Sequence, residues 1–379
     1  MKKYCPLVSH HLRVIERHLW STGLVSASVP RVFEEGQIDT KISDLDIKQG
    51  YGGAWIRDNA YVALGPLYAG EMAQAKLQLY GLLDIFHAHV GKLRNGEGVH
   101  AKVDPRDLSE ITPNWGHRQH DAIGITLWVV AEFYSKDRHI LRVGDIEVIQ
   151  SMIDYLGRIE YWHMPDFGMW EECEIRHSSS IGSVVGGLKH IQKQNIEGLH
   201  VSEYFIVKGE EALREILPKE SKDLCWHGNH YHCCDSAQLF LIWPHAVLTR
   251  EQEDDILQRI LKGHSLWNSG KYHHKLNKRF GLQRYWGDGY GMTEDWHSVQ
   301  WQWHPLVSII FAQRKEYKKA YKWFRMGMKH MIPDGCIAEF RTGKGDVGEH
   351  TPLVWMHALY IKAFLALPRF YQDKILEIA

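Results

Sequence analysis

The sequence predicts an all-α chain, most naturally a toroid of helical hairpins. Three observations carry this. Apolar residues recur at helical spacing from one end to the other, strand signals are few and short, and no Pro/Gly/Ser-rich linker divides the 379 residues. Periodicity alone equally allows a solenoid of stacked helix pairs. The reading is one domain over residues 1–379.

A first helix is expected near 5–20, a long helical stretch over 58–92 and another over 119–135. Asp145 is a good N-cap, and Ile146, Ile149, Ile153 and Leu156 follow it at helical spacing. The next helix covers 178–195, with short strands around 200–206 and 223–234 and a helix over 235–247. Thr249 to Gln252 reads as a capping box. It opens a helix carrying Ile256, Leu257, Ile260 and Leu261 on one side, which Gly263 can end. After a helix over 297–313, Tyr317, Ala320, Tyr321, Phe324 and Met328 make an apolar stripe. Lys318, Lys319, Lys322, Arg325 and Lys329 stand opposite it, most simply as a solvated face and not a phosphate-binding patch. A last helix covers 353–366.

Lys and Arg number 45 against 46 Asp and Glu, a net charge of -1, so the overall basic footprint of a nucleic-acid binder is missing. With 44% hydrophobic residues a sizeable core can form. The aromatics are unusual: 15 Trp, 17 Tyr and 12 Phe suit a thick core or an open cleft lined by flat rings, on which sugar faces stack. For any one Trp, core filling is the commoner use. After Lys2 and Lys3, the polar residues His10, His11, Arg13 and Glu16 come too soon for a signal sequence. The longest apolar run, Leu239 to Leu248, is broken by Pro244 and His245, whereas a membrane span needs about 20 residues. Six cysteines form no dense disulfide framework, so a reducing, cytoplasmic compartment is expected, with no membrane partner.

Five segments pack aromatics beside charged groups, mostly between the expected helices, where sites tend to sit. The first is Tyr51-Gly52-Gly53-Ala54-Trp55-Ile56-Arg57-Asp58-Asn59, in which Asp58 could simply cap its helix or, with Arg57, grip two sugar hydroxyls. The second is Asn114-Trp115-Gly116-His117-Arg118-Gln119-His120-Asp121. The third, Gly168-Met169-Trp170-Glu171-Glu172, sets two carboxylates beside an indole; partial desolvation there raises a carboxyl pKa and suits a general acid. The fourth is Arg284-Tyr285-Trp286-Gly287-Asp288-Gly289-Tyr290. The fifth is Ala338-Glu339-Phe340 followed by Thr351-Pro352-Leu353-Val354-Trp355. From the residues alone this amounts to candidate carboxylates among aromatics, and no more.

In this order the five segments resemble glycoside hydrolase family 15, the glucoamylase family, and the related domain of the phosphorylase kinase α and β subunits. The likeness covers roughly residues 50–360. Trp55-Ile56-Arg57-Asp58 is similar to the W-x-R-D segment whose Arg and Asp hold the non-reducing-end glucose. Trp115-Gly116 with Gln119 and Asp121 is similar to W-G-x-x-Q-x-D, whose Trp lies along the substrate. Trp170-Glu171-Glu172 is similar to W-E-E, where the first Glu is the general acid. Arg284-Tyr285 with Asp288 and Tyr290 is similar to R-Y-x-x-D-x-Y, whose Arg helps bind substrate. Glu339 falls at the family's general base, sixteen residues before Trp355. Phe340 stands where many members have Gln, and Ser179-Ser180-Ile181-Gly182 leans toward the phosphorylase kinase branch.

The resemblance implies an (α/α)6 barrel with a cleft at one end. It implies an inverting, exo-acting α-glucoside hydrolase, with Glu171 as acid and Glu339 as base. Trp55, Arg57, Asp58, Trp115, Trp170, Glu172 and Arg284 are then the substrate-binding set, an oligo- or polysaccharide the partner, and no cofactor is needed. The alternative is a catalytically weak glycan-binding or regulatory module. A third reading, an enzyme acting on uronic-acid sugars, would want more basic residues around the sugar than Arg57, Arg118 and Arg284. Cys225 to Cys234 holds three Cys and three His, which are zinc-ligand types. Their spacing fits no standard finger, and the alternation reads as a hairpin strand with His230 and His232 on one face, so no metal is expected there.

Overall fold

The computed structural model describes residues 5–28, 44–112, 118–220, 235–262, 281–285, 300–342, 345–348 and 350–377. Helix α1 (Pro6–Arg17) is followed by α2 (Asp44–Gln49), α3 (Ile56–Ala69), α4 (Met72–Ala88), α5 (Val90–Arg94), α6 (His120–Lys136) and α7 (Asp145–Arg158). Then come α8 (Ser178–Gln194), α9 (Glu203–Glu220), the short α10 (Leu239–Ile242) and α11 (Arg250–Lys262). The series ends with α12 (His304–Gln313), α13 (Tyr317–Met328), α14 (Val354–Leu365) and α15 (Arg369–Leu376). Two antiparallel pairs of two-residue strands complete the described elements: β1 (Ala54–Trp55) with β2 (Lys102–Val103), and β3 (Gln300–Trp301) with β4 (Phe340–Arg341).

Packing runs from α3 to α6, α8, α10, α12 and α14, and from α14 back to α3, closing a ring of six. Behind that ring stand α4 against α3, α7 against α6, α9 against α8, α11 against α10, α13 against α12 and α1 against α14. This is an (α/α)6 barrel. A solenoid, the other arrangement that periodicity allows, has free ends where this ring closes.

Burial explains which helix goes where. Every residue from Ile56 to Leu67 of α3 is buried, as is every residue from His304 to Ala312 of α12 and from Val354 to Ile361 of α14. A helix apolar all round belongs inside. The outer helix α13 instead buries Ala320, Trp323, Phe324 and Gly327 and leaves Lys318, Lys319, Lys322 and Lys329 exposed, the solvated face that its stripe predicts. Helices α6 and α8 pack closely because glycines face each other. A Cβ on Gly187 would meet the Gly124 carbonyl oxygen at 2.3 Å.

Most expected helices are present with ends shifted by a few residues. The stretch 58–92 is divided at Gly70, whose φ of 83° caps α3 through bonds from Gly70 N to Leu67 O and Glu71 N to Pro66 O. Thr249 and Gln252 form the expected capping box, with bonds of 2.8 and 3.3 Å. The helix over 235–247 shrinks to a 3-10 turn at Ser236–Gln238 and α10, because Pro244 has no N–H to continue it. The helix expected from 297 starts at His304.

The strand expected at 200–206 is wrong, since α9 occupies Glu203–Glu220. Its β-favouring run Val201, Tyr204, Phe205 and Ile206 is outweighed by Ile206, Leu213, Ile216 and Leu217, buried at helical spacing within a helix of 18 residues. Residues 223–234, and with them the Cys225–Cys234 cluster, lie outside the described residues. Cys173 is buried, and Cys5 and Cys336 are partly buried. No helix among the described residues is long and apolar enough to cross a membrane.

Candidate active site

A cavity of about 390 Å³ opens where the N-terminal ends of α3, α12 and α14 converge. Its wall includes both proposed catalytic carboxylates, Glu171 and Glu339, together with Arg57, Asp58, Glu172 and Arg284. Aromatic rings supply the rest, from Tyr51, Trp55, Trp170, Trp301, Trp303 and Trp355. Four of the five sequence segments thus share one wall, and the second reaches it through Gln119, which bonds to Glu171. Trp115, the remaining member of the expected set, lies outside the described residues.

Arg57, in the first turn of α3, is the hub. Its Nη1 donates to Gln119 Oε1 at 2.8 Å and to Asp121 Oδ2 at 3.0 Å. Its Nη2 donates to the Met169 carbonyl at 3.1 Å and to Glu171 Oε1 at 3.2 Å. Gln119 Nε2 donates to the same Glu171 oxygen at 2.6 Å. Glu171 sits at φ 62°, a left-handed conformation that a β-carbon resists, and its N–H closes the turn on Phe167 O at 3.1 Å. Such local strain persists where the surroundings over-determine a side chain, as Arg57 and Gln119 do here.

Glu172 turns to a different cation, lying 2.6 Å from Arg284 Nη2 and accepting from Tyr285 Oη at 2.5 Å. The Arg284 guanidinium also lies 5.5 Å from the Trp170 ring centre and 5.8 Å from that of Trp301. Trp170 Nε1 donates to Asp235 Oδ1 at 2.7 Å, which fixes the indole against the start of the 3-10 turn.

Glu339 is positioned by the second strand pair. Trp301 faces Phe340 in that ladder, and Glu339 N donates to His350 O at 3.0 Å. Its Oε1 accepts from Tyr51 Oη at 2.9 Å, and Tyr51 is stacked on His350 with ring centres 3.5 Å apart. Only 5% of Glu339 is exposed, and burial pushes its carboxyl from 4.5 up to about 8 against the opposing pull of Tyr51 and Arg284. Burial likewise pushes Asp58 up to about 7, although neighbouring Arg57 opposes it. Burial thus raises two carboxyls on the cavity wall that sequence reasoning does not single out for desolvation, Asp58 and Glu339.

Sequence reasoning assigns no role to Tyr51, Trp301 or Trp303. Tyr51 stands inside the first quoted segment, beside Gly52-Gly53, so its neighbourhood is flagged but its reach to Glu339 is not. Trp301-Gln302-Trp303 carries only an alternating aromatic pattern, which core filling explains as well. Lys102, on β2, also approaches the wall. Its ammonium lies 4.5 Å from the Trp55 ring centre and donates to Gly50 O at 2.9 Å, tethering the turn that carries Tyr51.

Carboxylates, arginines and indoles around one end-cavity of a helical barrel are groups able to bind a sugar and hydrolyse its glycosidic bond. Residues 20–289 match the model of glycosyl hydrolases family 15, and the chain belongs to that family. Among curated proteins it is 26% identical over 261 residues to the probable phosphorylase b kinase regulatory subunit alpha of Drosophila melanogaster, covering 55% of this chain and 21% of that one. It is 24% identical over 274 residues to the skeletal muscle isoform of that subunit from Oryctolagus cuniculus, covering 62% and 21%. The aligned part is thus about a fifth of each of these relatives. Among solved structures, a wild-type glycosidase superposes with a TM-score of 0.70 at 20% identity, over 96% of this chain and 97% of that one. A bacterial glucoamylase complexed with acarbose superposes with a TM-score of 0.65 at 16% identity, over 97% and 57%. At these identities the structures establish the fold.

Proposed function

We propose that the protein is an inverting, exo-acting α-glucoside hydrolase that releases glucose from the non-reducing end of an oligo- or polysaccharide. The observation that carries this is the presence of Glu171 and Glu339 on the wall of one indole-lined cavity with Arg57 and Asp58. In this reading Glu171 protonates the leaving oxygen. Glu339 takes a proton from the water that attacks the anomeric carbon on the opposite face, so the configuration inverts. Arg57 and Asp58 hold the terminal sugar, and Trp55 and Trp170 offer it apolar faces. Glu172 with Arg284, and Trp115, position the next unit.

Burial holds the Glu339 carboxyl up at about 8, so the ionised form that can act as base gains population as pH rises toward that value. Support for the hydrolytic reading comes from family membership and from the acarbose-bound glucoamylase of the same fold. The test is a panel of α-1,4, α-1,6 and trehalose-type glucosides followed by glucose release. Hydrolysis of none of them would overturn the proposal.

The second reading, a regulatory glycan-binding module, is favoured by the curated relatives, which are kinase regulatory subunits. Tight oligosaccharide binding without turnover in the same panel would select it.

A further inference from the structure

Three histidines meet in the seam between α1 and α14, away from the cavity. His10 and His11 are neighbours on α1, His357 lies on α14, and each ring brings one nitrogen to within 4.8 Å of the others. His11 and His357 are fully buried and His10 is partly exposed. The two buried rings face each other through their Nδ1 atoms, 2.9 Å apart. His10 Nε2 lies 3.0 Å from the Gly335 carbonyl oxygen, so that nitrogen carries the hydrogen and donates. Its Nδ1 then keeps a lone pair.

We propose that His10, His11 and His357 form a binding site for one divalent transition-metal ion, zinc by preference. The donor set is the first reason. Imidazole nitrogens suit zinc and its neighbours, whereas calcium and magnesium demand oxygen, and the cluster contains no carboxylate. Spacing is the second. Two zinc–nitrogen bonds of about 2.0–2.1 Å at a tetrahedral angle set the nitrogens about 3.3 Å apart, so the His11–His357 pair has to open by only about 0.4 Å. The third is orientation, since a backbone carbonyl holding the far N–H, as Gly335 holds His10, is the usual tether of a metal-ligating imidazole.

The buried pair can also yield its nitrogens to an ion. One Nδ1 now donates its hydrogen to the other, and both Nε2 atoms are buried without a partner among the described residues. A cation takes both Nδ1 lone pairs. One ring moves its hydrogen from Nδ1 to Nε2, both stay neutral, and no proton is released. The partly exposed His10 provides the entry path.

The ion would staple α1 to α14 across 346 residues of sequence. His357 is two positions after Trp355, which lines the cavity, and two helical steps of about 100° turn it toward the outer layer. The site is therefore structural and independent of the hydrolytic reading.

The test uses the full chain, purified without an affinity tag and stripped with a chelator, then titrated with Co²⁺ and with Zn²⁺. One equivalent of Co²⁺ should bind with the visible absorption of a four-coordinate ion, without a thiolate charge-transfer band, and Zn²⁺ should displace it and raise Tm. His10→Ala, at a partly exposed position, should weaken Co²⁺ binding at least about tenfold and abolish the zinc-dependent rise in Tm. His357→Gln should do the same. The proposal is overturned if no Co²⁺ binds, if a thiolate band appears and assigns the ion to the Cys225–Cys234 segment, or if His10→Ala binds as the parent does.

Discussion

Replacing Glu339 by Gln removes a buried acid whose burial costs the fold stability, and the size of that cost is set by pH. The Glu339 carboxyl is pushed from 4.5 to about 8 in the folded protein, so between those values the folded state keeps a proton that the unfolded chain has released. Stability from this group is fully present below pH 4.5 and is lost as pH rises through 8. At about 1.36 kcal/mol per pH unit, the loss reaches ~3 kcal/mol at pH 7 and about 5 kcal/mol above pH 8. The upper figure is a ceiling, because Asp58 and Glu171 repel the Glu339 charge and part of the effect belongs to the group of carboxyls. The amide of Glu339→Gln keeps the shape of the protonated acid and has no proton to lose. The variant should therefore be nearly as stable as the parent at pH 5 and more stable at pH 8. Urea unfolding at the two pH values measures it. A stability difference that does not change with pH, or a variant less stable at pH 8, would refute the burial argument.

Four further outcomes bear on the chemistry. Tyr51→Phe removes the hydrogen bond that holds Glu339 down; a bond to a charged group of about 1.5–3 kcal/mol corresponds to roughly one to two pH units, so the acid limb of the kcat/KM profile should move alkaline by that much. An unmoved limb would separate Tyr51 from the base. Glu171→Gln should lower kcat on an unactivated glucoside by about 10²–10⁴-fold, and far less on a dinitrophenyl glucoside whose leaving group needs no proton; near-normal turnover on both would remove Glu171 as the acid. Proton NMR in the first minutes of hydrolysis should show β-glucose released from an α-glucoside, whereas initial α-glucose would mean retention and a nucleophilic route. Glu172→Gln, which loses its ion pair with Arg284, should raise KM more than it lowers kcat in steady-state kinetics, and the reverse pattern would make Glu172 part of the chemistry.

Much of the barrel is legible in the sequence because helical periodicity is local information. The 3.6-residue period of α7, α11 and α13 and the capping box at Thr249 can be read within a dozen residues, and all four features are present. The misread strand at 200–206 shows where local reading fails. Its short β preference is real, but the face formed by Ile206, Leu213, Ile216 and Leu217 decides the outcome, and that face exists only against α8. The order of the five aromatic and charged segments is likewise visible in the chain, as is the family resemblance they carry.

Other features are decided only by the tertiary structure. Nothing near Arg57 in sequence announces that it will hold Gln119, Asp121 and Glu171 at once, and nothing near Tyr51 announces Glu339, 288 residues away. Which carboxyls burial raises follows from what packs around them, and nothing local in sequence announces it for Asp58 or for Glu339, sealed by Tyr51 and its strand pair. The meeting of His10 and His11 with His357 has the same origin, because ring closure brings the first described helix against the fourteenth. Periodicity and motif order are properties of neighbouring residues and survive in the linear chain, whereas desolvation, ion pairing and ligand geometry depend on distances that exist only once the six-helix ring has closed.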